Sequence, residues 1–142
     1  MRRLTVAEID LLISAWGCNA VWRIPLHVYA GEPQVEFDDG SPPHHDWGTG
    51  EKMRMYWPED ATDATKVHEA GHATHLALYP ESATWPTLKC ETFAMLGVVR
   101  LGLEGPYGDL PEIRAARGLL KREPARYDLV MKLAAEDGRP IA

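Results

Sequence analysis

The sequence predicts an α+β domain: an N-terminal helix, a short three-stranded sheet, a motif-bearing helix, a second helix and C-terminal helices. Three observations predict it. Thr5-Val6-Ala7-Glu8 carries the hydroxyl and carboxylate of a capping box, three residues apart, ahead of apolar residues at helical spacing. Apolar and polar residues then alternate in three short stretches between Trp22 and Trp57, the period of half-buried strands. Beyond about Asp60 the apolar spacing becomes helical and is interrupted only by proline and glycine. With 142 residues, the chain suits one domain, 1–142, around a single modest core.

In the first helix Ile9, Leu12, Ile13 and Trp16 share a face, and Gly17 is the expected stop. Trp22, Ile24, Leu26 and Val28 alternate with Arg23, Pro25, His27 and Tyr29; Pro25 lacks an N–H, which places this strand at an edge or bulge. Val35 with Phe37, and Met53 with Met55 and Trp57, mark the second and third strands. Between them Asp39 to Gly50 is a long turn-rich loop carrying His44 and His45. Asp60, Thr62 or Asp63 caps a helix running to Leu78 and stopped by Pro80. A turn over Pro80–Pro86 leads into a helix that starts near Pro86 and ends near Leu101 or Gly102. After the break at Gly105–Gly108, two helical patterns follow, Leu110–Lys121 and Pro124–Ala135.

Composition narrows the function classes. Its 45% hydrophobic and 25% charged residues are those of a soluble globular protein. A net charge of −6 argues against nucleic acid or an anionic membrane as a partner held by charge. No apolar run approaches the ~20 residues a bilayer span needs. The basic start Met1-Arg2-Arg3-Leu4 is followed by Glu8 and Asp10 within the apolar stretch, unlike a secretion signal. Two cysteines, Cys18 and Cys90, are too few for a disulfide framework; the expectation is a cytoplasmic protein.

The chemistry is concentrated in His68-Glu69-Ala70-Gly71-His72, an HExxH. On a helix of about 3.6 residues per turn, residues four apart stand on one face, so both imidazoles reach one Zn²⁺ at about 2.0–2.1 Å. Glu69 is turned by about 100° from His68, near the metal but off it, where it can take a proton from water. Gly71 lets another element approach the helix closely. Catalytic zinc takes three protein ligands and keeps one position open. Glu91, with 18 residues between it and His72, lies on the next helix and is the candidate third ligand. Glu81 and Glu104, on predicted turns, fit that geometry less well.

HExxH followed after about 18 residues by a glutamate on a second helix resembles the gluzincin metallopeptidases. The resemblance spans roughly Lys52 to Leu101 and includes the strand ahead of the motif helix. It implies a zincin-like fold with His68, His72 and Glu91 as zinc ligands and Glu69 as general base for hydrolysis of a peptide or protein. The N-terminal helix and three strands before HExxH are also similar to ImmA–IrrE-type regulatory peptidases. His68–His75 is similar to the motif of thimet-type oligopeptidases, whose third ligand lies further downstream. The resemblance further implies a Tyr or His oxyanion donor from a later segment, for which Tyr107 and Tyr127 are the tyrosines weighed against plain packing.

Other readings stay open at this point. A zinc-stabilised binding module without turnover uses the same ligands. A structural metal fills its fourth position from the protein, with His75 or Cys90 as the extra ligand. His75 lies nearly two turns from His68 and about 4.5 Å further along the axis than His72, which suits an outer role better. Cys90, Trp16, Trp22, Trp57 and Trp85 read as core, and His44 and His45 as loop residues. So small a chain has little room for a deep cleft, which favours one narrow substrate or a partner that completes the site.

Overall fold

A computed structural model describes residues 3–17, 26–28, 34–36 and 54–124. Cys18, Trp22, Pro25, Phe37, the loop with His44 and His45, Met53, Tyr127 and the expected last helix beyond Pro124 lie outside the described residues. What is described is mostly helical, with four α-helices: α1 Val6–Trp16, α2 Asp63–Leu78, α3 Thr87–Arg100 and α4 Pro111–Arg122. Three short extended segments accompany them: β1 Leu26–Val28, β2 Gln34–Glu36 and β3 Arg54–Trp57. Their backbones pair in the order β1-β3-β2, parallel between β1 and β3 and antiparallel between β2 and β3. No described helix is long and apolar enough to cross a membrane.

The ends of α1 follow from its sequence. Thr5 Oγ1 accepts from the Glu8 N–H at 3.1 Å while the Glu8 carboxylate accepts from the Thr5 N–H at 2.8 Å. Gly17 closes the helix at φ 72°, a left-handed conformation that glycine takes without a Cβ clash. The buried face differs from the expected one. It is Glu8, Leu12, Ala15 and Trp16, with Ile9 and Ile13 only partly buried. Glu8 enters the interior because its charge is matched there: Lys66 of α2 lies 3.3 Å from its second oxygen.

In β3 the alternation holds, Met55 and Trp57 being fully buried and Tyr56 half-buried. Thr62 caps α2, its Oγ1 accepting from the Thr65 N–H. The link from α2 to α3 is not a simple turn but a 3₁₀ helix, Pro80–Thr84. Pro80 stands at its first position, where a missing N–H leaves nothing unpaired. Pro86 occupies the N-cap of α3, one step before the helix, with extended backbone. A second 3₁₀ turn, Gly105–Tyr107, joins α3 to α4.

Trp16 is the wedge of the core. It is fully buried, its Nε1 donates to the Val67 carbonyl at 3.0 Å, and its ring stacks on Phe93 at 5.5 Å. One side chain of α1 thus ties α2 to α3. A Cβ placed on Gly71 would lie 2.6 Å from Trp16 Cζ2 and 2.7 Å from the Ala94 Cα. The close approach expected of Gly71 is therefore between α2, α3 and this indole.

Gly71→Ala discriminates sharply, because two effects oppose. In an open helix alanine stabilises by about 1 kcal/mol relative to glycine. Overpacking against Trp16 and Ala94 costs about 1–3 kcal/mol, and urea unfolding should show net destabilisation. A gain near the open-helix value would contradict the close contact.

Candidate metal centre

His68 and His72 project from one face of α2, their rings edge to face at 4.7 Å and their Nε2 atoms 3.1 Å apart. Glu91, from the second turn of α3, reaches across the helix pair. Its Oε2 lies 2.9 Å from His68 Nε2 and its Oε1 3.3 Å from His72 Nε2. The three residues that the sequence placed together are thus in mutual contact. The carboxylate remains a third exposed.

These distances are a test of fit for a metal. Tetrahedral zinc with bonds of about 2.0–2.1 Å keeps its ligand atoms about 3.3–3.4 Å from one another. The separations of 3.1, 2.9 and 3.3 Å are close to that edge length. Two imidazole nitrogens and a carboxylate this close need a bridging hydrogen or a metal among them to offset the repulsion of their lone pairs. The His contacts hold the Glu91 carboxyl well below the usual carboxylate range, the hydrogen bond with His68 contributing most. His68 Nδ1 is buried with no hydrogen-bond partner among the described residues.

Glu69 is buried, with a carboxylate oxygen within 4.8 Å of a nitrogen of each His. It and Glu91 are both near enough to be weighed as the third ligand. Glu91 touches both Nε2 atoms, whereas Glu69 stands about 100° round the helix from His68, so Glu91 is the better-placed candidate for a third ligand. Glu81 lies exposed on the 3₁₀ helix, and Glu104 pairs with Arg117 at 3.4 Å.

The residues that could close a fourth position are committed elsewhere. His75 is 3% exposed; its Nε2 faces His72 Nδ1 at 3.0 Å and its Nδ1 faces Ser82 Oγ at 2.7 Å. Its ring stacks on Trp85 and meets Phe93 edge-on, each at 5.6 Å. Burial is the main cause that lowers its pKa to about 3. Cys90 directs Sγ to the Ser82 and Trp85 carbonyls, at 3.5 and 4.0 Å, and burial raises its pKa. Trp85, expected in the core, is only half-buried: it forms a wall on His75 with Lys89 over its other surroundings, 4.1 Å from the ring centre.

Tyr107 comes to the site from the 3₁₀ turn between α3 and α4. Its ring lies 5.8 Å from that of His68. Burial raises its pKa, and the charges of Glu69 and Glu91 push the same way, so it keeps its proton as a donor. Sequence reasoning passed over Ser82 altogether. It sits between two prolines in what reads as a linker, with no periodicity to mark it.

No protein-family model matches the chain, and no curated protein or solved structure matches it either.

The two shifted groups act in different pH windows. His75 stays neutral when folded, so below the ordinary value near 6.5 the unfolded chain takes up a proton that the folded one does not. Stability from this group falls as pH drops from 6.5 towards 3. The contribution of Glu91 is complete above its ordinary 4.5 and is lost as pH falls below it. A heteronuclear NMR titration should show the His75 ring still neutral at pH 5, where an ordinary histidine is almost wholly protonated. A midpoint near 6.5 would contradict the buried arrangement.

Proposed function

We propose that this protein is a zinc metallopeptidase of the gluzincin type on a minimal, zincin-like α+β domain. His68, His72 and Glu91 hold the zinc, and Glu69 is the general base. One observation carries the reading: a single carboxylate from α3 touches both HExxH imidazoles, at separations close to those of a tetrahedral ligand set. Three protein ligands with a fourth direction left to water or substrate describe catalytic rather than structural zinc. The outward commitment of His75 and Cys90 supports the same conclusion.

Bound zinc supplies Lewis acidity, lowering the pKa of a water towards ~7 and polarising the scissile carbonyl. The chain's own residues do the rest. Glu69, beside the donor set, accepts the proton of the attacking water and returns it to the leaving amine. Its neighbours bring α2 and α3 together, so its position is fixed by packing rather than by a loop. Tyr107, its ring beside His68, donates to the oxyanion that develops on the carbonyl. The substrate is a peptide or protein segment.

Glu69→Gln is expected to bind one zinc per chain yet lose about 10²–10⁴-fold in turnover of a peptide library cleaved by wild type. Retained zinc with no cleavage by wild type itself would replace the enzyme by a zinc-bearing binding module. Tyr107→Phe should lower kcat by about 10²–10³-fold with little change in KM, as befits an oxyanion donor. An unchanged kcat would remove Tyr107 from the mechanism.

A further inference from the structure

Behind His72, away from Glu91, two buried residues form a hydrogen-bonded chain that the reaction described above does not use. Ser82 Oγ lies 3.1 Å from the His75 backbone carbonyl, which can only accept. It also lies 2.7 Å from His75 Nδ1. With the hydroxyl proton turned to that carbonyl, the oxygen accepts from the ring, and His75 Nδ1 is the N–H. A neutral imidazole carries one N–H, and a ring 3% exposed between Trp85 and Phe93 disfavours the charged form. His75 Nε2 is then a lone pair, and it faces His72 Nδ1 at 3.0 Å. In this arrangement the proton between them sits on His72 Nδ1.

We propose that Ser82 and His75 are positioning residues that set the tautomer of His72, fixing its proton on Nδ1 and presenting Nε2 to the metal. The inference rests on the metal site proposed above. It assigns to a histidine and a serine the work that a carboxylate or backbone carbonyl does behind many metal-ligating imidazoles. The relay also explains why the segment between the ligand helices is ordered as a 3₁₀ helix. Ser82 must stand against the last turn of α2, and the Cys90 thiol holds its carbonyl from α3.

The test combines zinc affinity with a direct reading of the protons. Zinc Kd is measured by competition with a chromophoric chelator on wild type, His75→Phe and His75→Gln. Phe keeps a ring against Trp85 and Phe93 but accepts nothing, whereas Gln offers an amide oxygen to His72 Nδ1. His75→Phe should bind zinc about 10–100-fold more weakly, with Gln recovering most of the loss. Both should keep the wild-type circular dichroism. Affinity within twofold of wild type in a folded His75→Phe overturns the relay. Long-range ¹H–¹⁵N NMR of wild type, with zinc and with zinc chelated, reads the tautomers even if neither variant folds. Protons on Nδ1 of both His72 and His75 are expected; a His72 that carries its proton on Nε2, or binds zinc through Nδ1, overturns the proposal. A wild type that binds no zinc but shows both Nδ1 protons defeats the metal site and leaves the relay standing.

Discussion

The contact on which the rest of the structure depends is the approach of α2 to α3 at Gly71 and Ala94, with the Trp16 indole wedged beside them. A Cβ on Gly71 would meet the Ala94 backbone at 2.7 Å, so the separation of the two helices here is set by a missing side chain. His72 is the next residue after Gly71, and Glu91 lies one turn before Ala94 on α3. The contact therefore fixes how far Glu91 must reach to the two imidazoles. Distances of 2.9–3.3 Å leave no slack for a shift of an ångström. A small core of Leu12, Trp16, Met55, Trp57, Val67 and Val98 holds that arrangement from behind.

Around the candidate metal centre the polar groups fall into two layers with different physical tasks. The inner layer is the cluster of His68, His72 and Glu91 with Glu69 beside it, partly open to solvent at Glu91. The outer layer is sealed. His75 and Ser82 satisfy each other under Trp85 and Phe93, where an unpaired polar group would cost more than any bond it lacked. Tyr107 stands at the border, half-buried with its ring against His68. The order of the layers follows from the helix itself. His68 and His72 are one turn apart, and His75, almost a turn on, faces the rear of His72.

Much of this was legible in the residues. The capping box at Thr5, the stop at Gly17 and the break at Pro80 are local chemistry and appear where the pattern put them, while of the three candidate caps for α2 the chain uses Thr62. The spacing of His68, Glu69, His72 and Glu91 likewise encodes one helix face and one return. What the pattern missed depends on partners distant in sequence. Burial of Glu8 requires Lys66, and the role of Ser82 requires a buried imidazole seven residues back. Neither has a periodic signal. Trp85 reads as core from its type alone, yet its place at the end of the 3₁₀ segment leaves it half-buried against His75. Tyr107 carries no motif, and only the turn between α3 and α4 brings it to His68.

The central claim is that three residues from two helices hold one metal and leave it a further position. Zinc-edge anomalous diffraction from crystals of the zinc-loaded protein tests it most directly. The account predicts one peak about 2.0–2.2 Å from His68 Nε2, His72 Nε2 and a Glu91 oxygen, with a non-protein ligand completing the coordination. A peak ligated by His75 or Cys90, or one that Glu91 does not touch, would contradict it.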